Sequence, residues 1–375
     1  MTPDRLYLDA NASAPLLAEA RAAILGALEA GGNPSSIHAE GRAARGLIED
    51  AREAVAALAG VRARDVIFTS GATEAAAMAL QPMEGFGPLL IGAGEHPAVV
   101  AGHRFGVDAS KSIALTSAGG LDLAALEAAL AQANGARPLL ALQAVNNETG
   151  AIQPVAEAAA LVHAAGGLVV TDAVQGAGRI DCRLEILGAD LAFFSAHKIG
   201  GPKGVGALVK RAGLTPAPLV RGGGQERGQR GGTENVPGIA GFGAAARGAL
   251  ERRDGENARL GAMRDALERG LRALAPDVVI FAADAPRVSN TSCFSVPGTD
   301  AAMALIALDL KGVAVSSGAA CSSGKVGPSR VLAAMGVPSE LAKGALRVSF
   351  GWWNGAGDVE RFLQAFAGLG RRKAG

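Results

Sequence analysis

From residue 65 onwards, short apolar runs alternate with helical patterns. Several runs are almost continuously apolar, which is typical of parallel strands covered on both faces. The predicted strands are 66–70, 89–91, 139–145, 168–171, 191–195 and 205–209. The predicted helices are 41–59, one from residue 73, one capped by Asp122, and one from Pro154 to Gly166. This order predicts an open, mostly parallel α/β sheet whose ligands bind beyond the carboxyl ends of its strands.

The pattern changes after residue 238. Residues 238–273 are rich in Ala, Arg and Glu and lack strand signals, so we predict one long connecting helix that could break at Asp254-Gly255. Beyond it, the pattern predicts strands at 288–296, 313–316 and 345–350 and helices at 300–310, 329–335 and 358–369. We therefore expect a second, smaller α+β domain.

Composition narrows the function classes. The 375 residues carry 36 Lys+Arg against 35 Asp+Glu, a net charge of +1, which argues against electrostatically driven binding to nucleic acid or membranes. The three cysteines form no CxxC pair, so we expect neither a disulfide framework nor a metal site. Because there is no signal-peptide pattern and no apolar run of membrane-spanning length, we expect a soluble cytoplasmic protein.

A phosphate site is suggested where the first predicted strand ends. After Phe68 the chain turns at Gly71 and opens a helix with small residues. The N–H groups and the dipole at such a helix start favour an anion, and Thr73 could add a hydroxyl. The alternative is a plain strand-to-helix turn with Thr as its cap.

Two further strand ends carry chemistry. Asp172 ends an apolar strand, where a desolvated acid needs a buried cation or a protonated ring nitrogen as its partner; the alternative is a helix cap. Lys198 follows another strand beside Ser195 and His197, where desolvation would lower its pKa towards a usable amine; the alternative is an ordinary surface lysine. An anion cradle, an acid and a lysine at one sheet edge match the needs of pyridoxal 5'-phosphate.

Motifs spread over almost the whole chain carry a more specific signal. They are Tyr7 to Asp9, Asn11 to Pro15, Gly32 to Ser36 with His38, Thr69 to Glu74, Glu95-His96, Asn146 to Gly150, Asp172 to Gln175, Ser195 to Lys198, Gly222 to Arg227, Arg230 to Asn235, Ser316 to Ser322 and Leu346 to Gly351. On these motifs the chain resembles the fold-type I pyridoxal-phosphate enzymes of the class V aminotransferase family, and among them the cysteine desulfurases of the NifS/IscS type.

The resemblance implies roles for individual residues. Lys198 would hold the cofactor as a Schiff base, Asp172 would pair with the ring nitrogen, and His96 would stack on the ring and exchange protons. The implied cofactor-binding residues are Ala72, Thr73, His96, Asn147, Asp172, Gln175, Ser195, His197, Lys198 and Thr233 of the partner subunit. Asn33, Asn147 and Arg347 would hold the substrate carboxylate.

The resemblance also implies the reaction. L-cysteine would become L-alanine, and its sulfur would form a persulfide on Cys321, which in that family would be carried by a mobile loop. A homodimer would pass the sulfur to an acceptor protein, either an iron–sulfur scaffold or a tRNA-thiolation relay. Cys293, within a predicted strand, is expected to be a buried hydrophobe, and Cys182 has no motif around it.

Other interpretations remain open. A selenocysteine lyase, another class V aminotransferase, or a non-catalytic sulfur carrier with the same fold are the rivals, although an aminotransferase would have no use for Cys321. The implied division is an N-terminal arm over 1–14 packing on the small domain, a large cofactor-binding domain over 15–245 and a small domain over 246–375. The Trp352-Trp353 pair departs from the family pattern and leaves the sulfur acceptor unidentified.

Overall fold

A computed structural model describes residues 5–133, 135–318 and 329–369. Within those ranges the helices are α1 (Ala18–Ala30), α2 (Ala39–Ala59), α3 (Ala72–Ala79), α4 (Pro97–Val100), α5 (Leu123–Ala131), α6 (Val155–Ala164), α7 (Leu184–Leu187), α8 (Val236–Leu274), α9 (Ala301–Leu310), α10 (Arg330–Ala334), α11 (Ser339–Lys343) and α12 (Ala356–Ala367). The strands are β1 (Leu6–Tyr7), β2 (Val66–Thr69), β3 (Leu89–Gly92), β4 (Ser110–Ile113), β5 (Leu139–Ala141), β6 (Leu168–Asp172), β7 (Leu191–Ser195), β8 (Gly206–Lys210), β9 (Val279–Ile280), β10 (Thr291–Ser295), β11 (Val313–Ala314), β12 (Ser316–Ser317) and β13 (Leu346–Ser349). Short 3₁₀ turns include Ala196–Lys198 and Gln225–Gly228.

A seven-stranded sheet forms the centre of the larger part of the molecule. Its order is β2-β8-β7-β6-β5-β3-β4. Strands β7, β6, β5, β3 and β4 run parallel to one another, and β8 runs antiparallel to both strands beside it, β2 and β7. The expected α/β architecture with a mostly parallel sheet is therefore confirmed.

One edge strand had no sequence signal. β4 exposes Lys111 and Ser112 and buries Ile113, so it carries no apolar run. Such a polar edge is typical of strands with one free side, because charged side chains there discourage pairing with another chain. The register of β4 beside β3 depends on the rest of the sheet, so it cannot be predicted from the residues of β4 alone.

The C-terminal region contains a four-stranded antiparallel sheet, in the order β12-β13-β10-β9. Its core includes Phe294 and Phe366, whose rings meet edge to face at 5.7 Å, and Leu267 of α8. The N-terminus joins this region, because β1 pairs in parallel with β11 and Asp9 forms a bridge with Ser349.

Helix α8 connects the two regions over 39 residues and packs on α1 and α2 at one end and on α12 at the other. The predicted break at Asp254-Gly255 is wrong, since the helix runs through both residues. Gly255 has open space around it, and a single glycine costs about 1 kcal/mol in a helix, which is too little to interrupt a long one. In the described part of the chain, no helix has the length and apolarity that a membrane span requires.

Candidate active site

Strand order places the predicted site residues at one edge of the large sheet. Gly206 at the start of β8 pairs with Thr69 at the end of β2 and with Ser195 at the end of β7. A side chain at residue 206 would come within 2.6 Å of Gly71, so this close approach requires glycine. The turn into α3 therefore lies beside the end of β7.

A cavity of about 450 Å³ opens at this edge. Small-molecule sites typically occupy roughly 300–1,000 Å³. Ten of the predicted residues line it: Ala72, Thr73, His96, Asn147, Asp172, Gln175, Ser195, His197, Lys198 and Arg347. The lining also includes Asn11, Gln143 and Lys203, to which the sequence had assigned no role.

Lys198 lies on the 3₁₀ turn that follows β7. Its Nζ donates to the backbone oxygens of Asn11 at 2.6 Å and Ala12 at 2.9 Å. His197 contacts the same segment, with Nδ1 3.2 Å from the hydroxyl of Ser13. Residues 11–13 thus hold both side chains at the cavity.

Asp172 ends β6, and its side chain is largely but not fully buried. Oδ1 accepts the N–H of Val174 at 2.9 Å. Burial raises the pKa of Asp172 to about 6, and the Val174 hydrogen bond and the charge of Lys198 partly offset that rise. No helix follows directly, so the alternative of a helix cap does not hold.

His96 enters the cavity from the start of α4. Its Nδ1 accepts the N–H of Ala98 at 3.1 Å, so the proton of the neutral ring is on Nε2. Burial, with a contribution from the charge of Lys198, lowers the pKa of His96 to about 4. The same two causes, with Lys203, lower the pKa of His197 to about 4. Both rings are neutral at pH 7.

Gln175 is held from two sides. Its Nε2 donates to the backbone oxygen of Asn11 at 2.9 Å, and Arg179 donates to its side-chain oxygen and, at 2.8 Å, to its backbone oxygen. Arg179 is buried, which lowers its pKa to about 10, helped by the charge of Arg347.

Arg347 projects from β13 and is 1% exposed. Its Nη1 donates to the backbone oxygen of Asn147 at 2.8 Å, and its Nη2 donates to Asp9 at 2.7 Å. Nε is buried and has no hydrogen-bond partner within the described ranges. A buried donor without an acceptor is costly, so this atom fits a site for a ligand carboxylate.

Two predicted residues lie elsewhere, and a third lies outside the described residues. Asn33 and Thr233 are exposed and do not line the cavity of their own chain. The segment of Thr233 is attached to α3 by Arg230, which pairs with Glu74 at 2.9 Å. Cys321 lies outside the described residues.

The other two cysteines are buried. Cys293 is 0% exposed, as expected for a strand residue, and Cys182 is 2% exposed. Burial raises the pKa of the Cys182 thiol to about 12 and also raises that of Cys293. Neither thiol forms a thiolate at neutral pH.

Sequence reasoning assigned no role to several buried acids. Glu95 is 5% exposed, and its Oε1 accepts the N–H of Gln143 at 2.7 Å. Burial, followed by the nearby charge of Asp172, raises its pKa well above the usual value. Glu95 and Glu148 are buried and Asp9 is partly buried. All three occur within the matched motifs, and that was their only sequence signal, because burial depends on distant segments.

The residues at the cavity fit pyridoxal 5'-phosphate. The open N–H groups at the start of α3 and the Thr73 hydroxyl suit a phosphate. The buried acid of Asp172 suits a protonated ring nitrogen, and Lys198 supplies a primary amine at the same cavity.

Comparisons with known proteins agree with this geometry. The model of the family "Aminotransferase class-V" matches residues 6–362. A cysteine desulfurase of Cereibacter sphaeroides is 41% identical, over 96% of this chain and 94% of that protein. Cysteine desulfurase IscS of Dictyoglomus turgidum is 39% identical, over 96% of this chain and 92% of that protein. The crystal structure of a NifS-like protein from Rickettsia africae superposes with a TM-score of 0.88 at 35% identity, covering 96% of this chain and 98% of that one.

Proposed function

The chain belongs to the class-V aminotransferase family, among its pyridoxal-phosphate-dependent cysteine desulfurases, and on that premise we propose a residue-level course for its reaction. L-cysteine becomes L-alanine, and the sulfur leaves as a persulfide on Cys321. One observation carries the proposal: Lys198, Asp172, the α3 N-terminus and Arg347 line the same cavity.

The cavity residues that the sequence predicted have binding tasks in this proposal. Lys198 carries the cofactor on its amine, and Ala72, Thr73, Ser195 and His197 bind the phosphate. The bound cofactor supplies an electron sink that weakens bonds at the substrate Cα and Cβ.

Three side chains orient the ring. Asp172 keeps the ring nitrogen protonated, because its buried carboxylate is stabilised by a cation at that position. Gln175, which Arg179 fixes, donates to the hydroxyl group of the cofactor ring. The neutral imidazole of His96 stacks on the cofactor ring.

Protons move at two atoms. The first is the Nζ of Lys198, which takes the Cα proton of the substrate and can then return a proton to carbon; the backbone oxygens of Asn11 and Ala12 orient this amine. The second is the Cα of the substrate itself, while the neutral His96 donates a hydrogen bond from its Nε2–H, because its Nδ1 accepts the Ala98 N–H.

The substrate carboxylate binds Arg347, whose Nε has no hydrogen-bond partner within the described part of the chain, together with Asn147. Asn33 is the third proposed contact, although it is exposed and does not line the cavity in the single chain. The Cys321 thiolate then attacks the substrate sulfur. An S–S bond forms, the Cβ–S bond breaks, and the released electron pair ends as a C–H bond of alanine. The buried thiols of Cys182 and Cys293 cannot compete, because their raised pKa values keep them protonated.

We also propose a homodimer that shares its sites, with Thr233 binding the phosphate in the neighbouring subunit. Thr233 is exposed in the single chain. Arg230 on the same segment pairs with Glu74 of α3 at 2.9 Å, so Thr233 lies on a segment attached to the helix whose N-terminus is proposed to bind the phosphate.

The proposal also covers the division of the chain into domains and the protein that accepts the sulfur. The arm is residues 1–14, the large domain 15–245 and the small domain 246–375, so that the division falls inside α8. The pairing of β1 with β11 supports an arm that packs on the small domain. The sulfur goes on to an acceptor protein in the cytoplasm, an iron–sulfur scaffold or a tRNA-thiolation relay.

Product analysis tests the reaction. The purified holoenzyme should convert L-cysteine to L-alanine without added keto acid and should carry persulfide on Cys321. Release of free sulfide with no persulfide stage would favour a lyase instead, and formation of a keto acid would favour an aminotransferase.

A further inference from the structure

Asn33 and Thr233 are the two predicted site residues that lie away from the cavity of their own chain, and their surroundings meet elsewhere. We call residues 33–36 the asparagine segment and residues 224–234 the threonine segment. Both segments line one further cavity, of about 340 Å³, together with helix α2. Two residues expected at one active site are therefore brought together, although they are far apart in the sequence.

Arg45 of α2 fixes the asparagine segment. Its Nε and Nη2 donate to the backbone oxygen of Pro34, at 2.9 Å and 2.6 Å respectively. Within the segment, the side-chain oxygen of Asn33 accepts the N–H of Ser35 at 2.9 Å. An exposed arginine of α2 thus ties the backbone beside Asn33 to the helix.

Arg52 fixes the threonine segment. It lies roughly two helical turns beyond Arg45, which places both arginines on one face of α2. Its Nη1 and Nη2 donate to Glu226 at 2.7 Å and 2.9 Å, and the two side chains are 4% and 2% exposed. Oε2 of Glu226 also accepts the N–H of Phe68 at 2.9 Å. Glu226 therefore joins the threonine segment to both α2 and β2.

The backbone of the threonine segment is held in a costly conformation. Glu226 and Arg227 have φ angles of 47° and 58°, in the left-handed region that favours glycine. Such residues persist only where their surroundings fix them, and they cluster at functional sites. Nη2 of Arg227 pairs with Glu49 of α2 at 3.2 Å. Contacts with α2, rather than local preference, therefore maintain this conformation.

The threonine segment is also attached to the proposed phosphate-binding turn of its own chain. Arg230 pairs with Glu74 in the first turn of α3 at 2.9 Å. The other carboxylate oxygen of Glu74 accepts the N–H of Ser70 at 2.8 Å. Because Glu226 attaches the same segment to β2, the segment is held on both sides of that turn.

We propose that this face of α2 presents Asn33 and Thr233 together to the neighbouring subunit, so that both residues complete the same site there. Arg45 and the Arg52–Glu226 pair are the positioning residues. None of them lines the first cavity, so they act through the two segments. The inference rests on the proposed function, in which a homodimer shares its sites, and it adds the subunit to which Asn33 belongs and the residues that present the pair.

Two heterodimers separate action on the neighbouring subunit from action within the same chain. Differently tagged full-length chains are co-expressed, and Lys198→Ala in one chain leaves one working site in each heterodimer. In the split heterodimer, Glu226→Gln lies on the chain that keeps Lys198. In the joined heterodimer, Glu226→Gln lies on the chain that carries Lys198→Ala. Only the joined heterodimer presents a loosened threonine segment from the neighbouring subunit to the working site.

Cofactor binding at the working site is titrated by absorbance, with pyridoxal 5'-phosphate and with pyridoxal, which lacks the phosphate. We expect the joined heterodimer to bind pyridoxal 5'-phosphate about tenfold more weakly than the split one, since a hydrogen bond to a charged group is weakened. Both heterodimers should bind pyridoxal equally, because Thr233 is assigned to the phosphate alone.

Arg45→Ala tests the asparagine segment in the same two arrangements. In the joined arrangement it should raise KM for L-cysteine about threefold without changing cofactor affinity, because Asn33 is assigned to the substrate carboxylate. In the split arrangement KM should stay at the wild-type value. Since Arg45 is exposed, this variant tests the inference even if Glu226→Gln lowers the yield of folded protein.

Matched controls come from helix α8. Glu268 forms a similar buried pair with Arg287 at 2.7 Å, which Ser292 joins to β10. Glu268→Gln is therefore the control for Glu226→Gln. Arg269→Ala, at an exposed position of the same helix, is the control for Arg45→Ala. Both controls should give equal cofactor affinity and equal KM in the two arrangements.

The inference is wrong if Glu226→Gln weakens pyridoxal 5'-phosphate binding equally in both heterodimers, in neither, or only in the split one. It is also wrong if pyridoxal binding weakens to the same extent, since the effect would then not concern the phosphate. A rise of KM confined to the split arrangement of Arg45→Ala would return Asn33 to its own chain. A wild-type protein that is monomeric, or that binds no pyridoxal 5'-phosphate, would instead overturn the proposed function.

Discussion

The cavity has two walls that are built in different ways. The sheet wall, made of Thr73, Asp172, Ser195 and Lys198, comes from the ends of strands that are neighbours in one sheet. The arginine wall, made of Asn147 and Arg347 with Asp9 behind them, joins pieces that lie 200 and 338 residues apart in the sequence. The sheet wall is thus fixed by one element, whereas the arginine wall depends on three segments meeting.

In the proposed function, the two walls have different tasks. A rigid sheet edge suits a cofactor that stays bound through every cycle. A wall assembled from the N-terminal segment and the C-terminal sheet suits a substrate that enters and leaves. Changes in the sheet wall should therefore affect the cofactor, and changes in the arginine wall should affect substrate without loss of cofactor.

The largest effect is expected for Lys198→Ala in the sheet wall. It should abolish covalent cofactor binding and lower turnover by at least roughly 10³-fold, because both the covalent link and the proton acceptor are lost. Borohydride reduction followed by peptide mapping checks this, with Lys203→Ala, from the same cavity, as the control. Labelling of Lys203 in the wild type would contradict the assignment.

Asp172→Asn should leave the cofactor bound yet slow the reaction. An amide cannot stabilise the protonated ring, and a loss of about 3 kcal/mol corresponds to a fall in kcat of roughly 10²-fold. Absorbance spectra report the cofactor and steady-state kinetics report kcat. Turnover equal to that of the wild type would mean that the acid is only structural.

Arg347→Lys tests the arginine wall. Lysine keeps the charge but loses the planar donor set, so KM for L-cysteine should rise by at least about tenfold while cofactor content stays at the wild-type level. Cofactor content is measured by absorbance after dialysis. Loss of cofactor in this variant would contradict the assignment of different tasks to the two walls.

The last prediction concerns stability and not turnover, as a pH dependence at Glu148, beside the arginine wall. Burial raises the pKa of Glu148 to about 7, with Ser329, Arg347 and Arg330 lowering it in part. A carboxyl whose pKa is raised on folding stabilises the fold at low pH, and that stability is lost as the pH rises from about 4.5 to about 7. Ionisation of Glu148 therefore lowers the free energy of unfolding of the wild type by up to about 3 kcal/mol at pH 8.

Glu148→Gln lacks this ionisation. Thermal unfolding of the two proteins should show a melting temperature difference that shifts in favour of the variant between pH 5 and pH 8. The melting-temperature difference between the two proteins at pH 5 is the control, because Glu148 in the folded wild type is protonated there. A difference that does not change with pH would mean that Glu148 keeps an ordinary pKa.

The two walls also differ in how far the sequence predicts them. The residues of the sheet wall follow apolar runs such as 168–171 and 191–195, so strand periodicity and the βα order were enough to expect Asp172 and Lys198 at one edge. Although β8 runs antiparallel to its neighbours, the site residues still meet at one edge, because Gly206 brings Gly71 beside Ser195.

The arginine wall had no such local signal. Arg347 was expected to contact the substrate only from a family motif, and its partner Asp9 was not assigned a role. Their meeting depends on the pairing of β1 with β11 and of Asp9 with Ser349, which are long-range contacts that residue periodicity does not encode. Buried acids such as Glu95 and Glu148 were missed for the same reason.

The central claim is that the sulfur of L-cysteine passes to Cys321, and one measurement tests it most directly. The holoenzyme is mixed with one equivalent of L-cysteine, quenched with an alkylating agent and mapped by peptide mass spectrometry, beside Cys321→Ser, Cys182→Ala and Cys293→Ala. The account predicts one added sulfur on the Cys321 peptide of the wild type and of the last two variants. In Cys321→Ser, the cofactor absorbance should still change with L-cysteine, but almost no alanine should form. Normal alanine production by Cys321→Ser would contradict the account.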